Sequence, residues 1–393
     1  DFTLQIKDLE TGTVLPWRAE QSDDAVWAND NRTLFYLTKD EAKRTARVWR
    51  HTLGEDGPGT LVWEERNELF WVSLDRTLDR RWIVVGSHSK DTSELRVIDA
   101  HRPTARQRIV LPRRKGREAM LEHRDGRFYL LVNDTGPNFR LVSVPAARPD
   151  LAQATELIAH RDEVMLEDLD VFAHHLVIGE RDRGVQKLRV WDCASGESHH
   201  VAFDETVYSA HTLHNAEFDT DTLRFAFVSL TTPQTIYDYD MTTRALTLKK
   251  RQPVLGGYDR ARYAAAQVQA TAPDGTRVPV SLVWRRDLRH EGVPQPLLLD
   301  GYGAYGISND VYFSAARVSL LDRGVIVALA HVRGGADLGR RWYDEGKLGR
   351  KMNTFTDFIA CAEALVEQGF TTPRQLIIEG GSAGGLLMGA VAN

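Results

Sequence analysis

Five short apolar runs recur along the first 255 residues at an almost constant period: Leu34-Phe35-Tyr36-Leu37, Trp82-Ile83-Val84-Val85, Phe128-Tyr129-Leu130-Leu131, Leu176-Val177-Ile178 and Phe225-Ala226-Phe227-Val228. Their first residues lie 48, 46, 48 and 49 positions apart. Several are followed by a polar turn and a second β-branched or aliphatic run, such as Leu95-Arg96-Val97-Ile98 or Leu188-Arg189-Val190-Trp191. A unit of about 40 to 50 residues with about four strands is what a β-propeller blade requires, because one blade cannot bury both of its faces and must stack on its neighbours. A β-sandwich or a string of small β domains also contains such strands, but gives no reason for an even period. The spacing predicts five whole blades and a leading remnant at residues 2–15, where Thr3-Leu4-Gln5-Ile6 and Thr13-Val14-Leu15 flank Glu10-Thr11-Gly12. Trp191-Asp192 resembles the dipeptide of WD-type blades, but a single pair among five units reads as core packing.

After Lys249-Lys250-Arg251-Gln252-Pro253 the periodicity changes. This polar, Pro-containing stretch reads as a hinge, dividing the chain into a propeller at 1–255 and a second region at 256–393. Two strands, Ala264 to Thr271 and Val278 to Trp284, flank the turn dipeptide Asp274-Gly275. Strands at Pro296 to Leu299, Val325 to Ala330 and Gln375 to Ile378 alternate with helical patterns at Ala315 to Asp322 and Thr354 to Glu367. That alternation predicts a largely parallel sheet. The fifth strand runs into Gly380-Gly381-Ser382-Ala383-Gly384, and an apolar helical stretch follows from Leu386. G-x-S-x-G alone is weak in a chain with 30 glycines. Between a fifth strand and a helix it marks the nucleophile elbow of an α/β-hydrolase, a sharp turn that lifts a serine oxygen above the sheet and needs small residues around it.

Composition excludes more than it selects. The chain is 42% hydrophobic and 27% charged, carries a formal net charge of -5, and has no apolar run near the ~18 residues that span a bilayer. Neither a nucleic acid nor a membrane is implied as a partner, and clusters such as Arg113-Arg114-Lys115 read as solvated faces. Cys193 and Cys361 lie far apart, which suits a reducing, cytoplasmic setting better than a disulfide framework. The chain opens Asp1-Phe2-Thr3, so the natural N-terminus, with any targeting signal, is expected to lie elsewhere. No His/Cys cluster at ligand spacing and no phosphate loop is present, so neither a metal nor a nucleotide cofactor is implied.

Several segments resemble the oligopeptidase B branch of the prolyl oligopeptidase family of serine peptidases: Val26-Trp27-Ala28-Asn29-Asp30, Leu111-Pro112-Arg113-Arg114-Lys115, Ser229-Leu230-Thr231-Thr232-Pro233, Leu320-Leu321-Asp322-Arg323-Gly324, His331-Val332-Arg333-Gly334-Gly335 and Asn353-Thr354-Phe355. The resemblance spans almost the whole chain and is most specific after Pro296. It implies a seven-bladed propeller that restricts access to a hydrolase site, so that short peptides are cut after Arg or Lys. On that template about one and a half blades precede residue 1. The resemblance makes Ser382 the nucleophile, the Ala383 backbone N–H and the Tyr302 hydroxyl the oxyanion donors, and Asp310 a secondary acidic residue of the substrate site. Tyr312 stands where a second carboxylate is usual, Asp300 where an aromatic is usual, and Ala336 replaces a glycine.

In α/β-hydrolases the acid and histidine follow the serine. The eleven residues after Ser382 include no Asp, Glu or His, and would span ~16 Å as helix. The catalytic acid and histidine are therefore expected beyond residue 393, where the resemblance also implies the main acidic pocket, and this chain alone is expected to be inactive and prone to aggregate. His331, at the end of the fourth strand, is read as structural. Two rivals remain: an esterase or acylaminoacyl peptidase on the same fold, and a non-catalytic propeller scaffold.

Overall fold

The computed structural model describes residues 2–393. Five antiparallel sheets occupy residues 2–64, 71–111, 119–158, 164–200 and 208–251, and in each one consecutive strands are hydrogen-bonded neighbours. The five periodic runs all fall on the equivalent strand of their sheets: Thr33–Lys39, Trp82–His88, Arg127–Val132, His175–Asp182 and Thr222–Ser229. The runs are continuous rather than alternating because these strands are covered on both faces. Phe35 and Tyr36 are both buried, as are Val177 with Ile178 and Phe225 with Ala226. Phe35, Leu37, Val72, Leu74 and Ile83 form one core between the first two blades, and Leu95, Val97, Phe128 and Leu130 belong to the next.

The leading segment differs from the remnant read from sequence. Val14–Trp27 is one strand of 14 residues, pairing with Phe2–Lys7 through its first half and with Thr33–Lys39 through its second. The first sheet therefore has five strands. The sequence hid this because register shifts interrupt both pairings and break the alternation.

Beyond the blades, five strands form a second kind of sheet: β1 (Tyr263–Thr271), β2 (Arg277–Arg285), β3 (Leu297–Gly301), β4 (Ile326–Ala330) and β5 (Leu376–Glu379). Their order is β1-β2-β4-β3-β5. β4, β3 and β5 are parallel, whereas β1 and β2 form an antiparallel hairpin that adds antiparallel to β4. The sheet is thus more mixed than its sequence pattern implied, because the Asp274-Gly275 turn forces its first two strands to reverse. Helices α1 (Ala315–Leu321), α2 (Arg340–Asp344), α3 (Met352–Glu367) and α4 (Ala383–Ala392) complete the region. One face of the sheet packs Phe358, Cys361 and Leu365 of α3 and Leu387 of α4 against Val280, Leu299 and Ala328. The other packs Leu321 of α1 against Val283, Val327 and Leu329.

By contacts the chain forms two compact units. One comprises residues 1–160, 169–173 and 216–219; the other comprises 161–168, 174–215 and 220–393. The second unit thus unites most of the fourth and fifth blades with the α/β sheet. Among the described residues no helix is long and apolar enough to cross a membrane.

Candidate active site

Ser382 stands between β5 and α4 with φ 54° and ψ -117°, a left-handed conformation unusual for a residue with a Cβ, and its side chain faces solvent. Such strain costs of order 1–2 kcal/mol and persists only where the surroundings impose it. Here the surroundings are backbone. A Cβ on Gly380 would lie 2.7 Å from Gly384 O and 2.9 Å from Gly301 O, and one on Gly384 would lie 2.6 Å from Gly301 O. Gly381 has open space and Gly385 has only ordinary contact. Two of the four elbow glycines are therefore required by close approach, and two are not.

That approach brings the end of β3 against the start of α4, so that a Cβ on Gly384 would lie 3.6 Å from Tyr302 Cα. Ser382, Ala383 and Tyr302 thus gather at one place. Ala383 is the first residue of α4, where a backbone N–H has no acceptor within its own helix and carries the positive end of the helix dipole.

The loop after β3 is held by a buried polar chain. His331 Nε2 lies 2.7 Å from Ser281 Oγ, and His331 Nδ1 lies 2.9 Å from Asp337 Oδ1. Asp337 Oδ1 also accepts the Asn309 backbone N–H at 2.9 Å, and Asn309 Nδ2 donates to Asp300 Oδ1 at 3.2 Å. Ser281, His331 and Asp337 have the connectivity of a catalytic triad, but all three are at most 4% exposed. A serine with no exposed surface meets no substrate, so the array is structural. Among the described residues no histidine is hydrogen-bonded to Ser382. Asp300, which stands where an aromatic is usual in the resembling branch, is the acceptor that ends this chain. Burial raises its pKa, and Glu379, its partner in register on β5, adds to the effect while Asn309 opposes it.

Asp310 belongs to a separate ionic cluster. Its carboxylate accepts two N–H bonds from Arg181 of the fourth blade, at 2.5 and 3.2 Å. Arg181 Nε donates to Glu167 at 2.6 Å. Burial opposes the Arg181 charge, but Glu167 and Asp310 outweigh it and hold the guanidinium protonated more firmly than usual. Tyr312 carries the Arg317 guanidinium 4.5 Å from its ring centroid, and its carbonyl accepts from Arg317 Nη1 at 3.0 Å. The Arg181 partnership was not legible, because the paired residues lie 129 positions apart.

The His331-Val332-Arg333-Gly334-Gly335 segment proves to be scaffolding. Arg333 is clamped bidentately by Asp357 of α3 and also reaches Asp274. A Cβ on Gly334 would lie 2.1 Å from Gly303 O.

A propeller followed by an α/β sheet with an exposed serine on a left-handed strand-to-helix turn defines the class as a propeller-bearing serine hydrolase. Residues 2–252 match the family described as "Prolyl oligopeptidase, N-terminal beta-propeller domain" and residues 311–393 the "Prolyl oligopeptidase family", and the chain belongs to that family of serine peptidases. Among curated proteins it is 40% identical to dipeptidyl aminopeptidase BI of Pseudoxanthomonas mexicana, over all of this chain and 54% of that one. It is 35% identical to protease 2 of Moraxella lacunata, over all of this chain and 57% of that one. Oligopeptidase B from Leishmania major superposes with a TM-score of 0.91 at 35% identity, covering 99% of this chain and 56% of that one. Oligopeptidase B from Trypanosoma brucei, with covalently bound antipain, gives 0.90 at 36% identity, covering 96% and 55%. The chain spans little more than half the length of these relatives.

Proposed function

We propose that this chain carries the nucleophile and oxyanion side of an oligopeptidase that cleaves short peptides after Arg or Lys through an acyl-enzyme at Ser382. The observation that carries the reading is the left-handed turn at Ser382, held by Gly380 and Gly384, since a binding scaffold has no use for a strained, exposed serine. In the proposed reaction Ser382 Oγ attacks the peptide carbonyl, and the Ala383 N–H and Tyr302 hydroxyl stabilise the oxyanion. Asp310 lies at the rim of the substrate site. Attack at neutral pH needs a base for the serine proton, and among the described residues no histidine is hydrogen-bonded to Ser382. Turnover therefore requires the longer protein, and the 393-residue chain by itself is inactive. A propeller up to about residue 255, peptide rather than nucleic-acid substrates, and a cytoplasmic setting complete the proposal.

The relative named dipeptidyl aminopeptidase gives a second reading, removal of dipeptides from a free N-terminus. In full-length protein containing this chain, a fluorophosphonate probe is expected to label the wild type and spare Ser382→Ala. Equal labelling of both would overturn the nucleophile. Turnover of an Arg-directed substrate by the 393-residue chain would overturn the requirement for a longer protein. Substrates with blocked and free N-termini separate the two readings.

A further inference from the structure

The Arg181 cluster contains one cation and two carboxylates, and both carboxylates are bound to that cation. Arg181 is 4% exposed, and its side chain is enclosed by the fourth blade and the loop after β3 within one compact unit. Its Nε serves Glu167, while its two terminal nitrogens serve Asp310. The second Glu167 oxygen accepts from Gln186 at 3.0 Å, so that carboxylate stays fixed to its own blade. Among the described residues Asp310 has no second side-chain anchor of this kind, and it keeps 40% of its side chain exposed. Its loop is set independently of Arg181, by the two bonds from neighbouring Asn309 to Asp337 and Asp300.

We infer that Arg181 is an internal occupant of the Asp310 cation subsite, a positioning residue that a substrate guanidinium or ammonium must displace before Asp310 can bind it. The inference rests on the peptidase reading and deepens it, because it says what the subsite holds when no substrate is present.

The physical argument turns on what Arg181 loses on displacement. A buried guanidinium stripped of all partners would be prohibitive. Arg181 keeps Glu167, so a substrate cation that takes Asp310 leaves no buried charge unpaired. The fork of a second guanidinium fits the same carboxylate with the same two-bond geometry. The exchange nonetheless gives up one charge-assisted pair for another, so the net gain to a cationic ligand is small. Asp310 therefore discriminates weakly in the wild type and strongly once the internal cation is removed.

The test measures calorimetric affinity of full-length protein, in a Ser382→Ala background to prevent turnover, for acetyl-Arg-Arg-amide and acetyl-norleucine-Arg-amide. Arg181→Gln is expected to raise the preference for the diarginine peptide about ten-fold, equivalent to ~1.4 kcal/mol. Arg181→Lys, which keeps a cation in place, is expected to leave the preference within two-fold of the wild type. Adding Asp310→Asn to Arg181→Gln is expected to abolish the gain. An unchanged ratio in Arg181→Gln, or a gain that survives Asp310→Asn, overturns the proposal. Should Arg181→Gln fail to fold, Asp310→Asn alone still tests the proposal, because a ten-fold loss of the preference would mean a subsite open in the wild type and overturn it. Fluorophosphonate labelling of the Ser382-containing parent is scored separately. An unlabelled serine with the ten-fold gain intact would sink the peptidase reading and leave the Arg181 exchange standing.

Discussion

Glu122 in the third blade, half-buried, and Glu180 in the fourth, fully buried, are both carboxylates on blade strands, and their pKa values are shifted in opposite directions. For Glu180, 1% exposed, burial is the strongest single influence and opposes the charge. Hydrogen bonds from His200, Arg189 and Arg161, at 2.6 to 3.1 Å, overcome it and lower the pKa to about 2. Burial also dominates at Glu122, where the only opposing bonds are backbone N–H groups such as Leu78 N at 3.0 Å, and Asp75 and Asp170 add repulsion. Its pKa is pushed up to about 8. The same side chain in the same repeated architecture stabilises one blade and burdens another, and the difference lies in which charges surround it. A repeat fixes the backbone frame, but leaves the electrostatics of each copy to be set separately.

The largest expected effect tests the stabilising member. Glu180→Gln removes the buried charge that Arg161 and Arg189 share and is expected to cost about 3–5 kcal/mol at pH 7, read by urea unfolding. The folded pKa lies below the ordinary 4.5, so the stabilisation is complete above pH 4.5 and is lost as pH falls towards 2. Wild type and variant should therefore converge near pH 2. A gap that does not change between pH 7 and pH 2 would mean that the cluster does not hold Glu180 ionised.

The burdened member should respond with the opposite sign. Because the folded pKa of Glu122 lies above the ordinary 4.5, ionisation penalises the native state progressively from pH 4.5 to about 8. Glu122→Gln imitates the protonated form. It is expected to match the wild type below pH 4.5 and to be more stable above pH 8 by about 2 kcal/mol, after allowance for water entering the site. A variant less stable than wild type at pH 8.5 would break the comparison.

The smallest effect separates burial from repulsion. Asp75→Asn removes one neighbouring charge and should move the Glu122 midpoint down by less than about one pH unit, as read by a carboxyl NMR titration. No movement would leave burial and Asp170 to account for the shift.

The same division between frame and contents governs what could be read in advance. The five blades were legible because a strand covered on both faces must be apolar throughout, as Phe35-Tyr36 and Phe225-Ala226 are, and because stacking blades demand a constant period. The elbow was legible because a left-handed serine between a strand and a helix needs glycine around it. Which glycines were needed was not legible: Gly380 and Gly384 face Gly301 O, whereas Gly381 faces open space, and that depends on where β3 lies. The fused first sheet was missed because its register shifts erase the alternation on which strand reading depends. His331 is close to an apolar strand and could be read as structural, but its partners Ser281 and Asp337 could not be named.

The sequence by itself determined the class of fold, the period of the propeller, the change to alternating strands and helices, and the position of Ser382, since each is written in local spacing and steric need. Tertiary structure alone decided the long-range pairs: Arg181 with Asp310, Arg333 with Asp357, and His331 between Ser281 and Asp337. Charges and hydrogen-bond donors are common in any sequence, and a buried one becomes specific only when the fold removes water and leaves a single partner within reach.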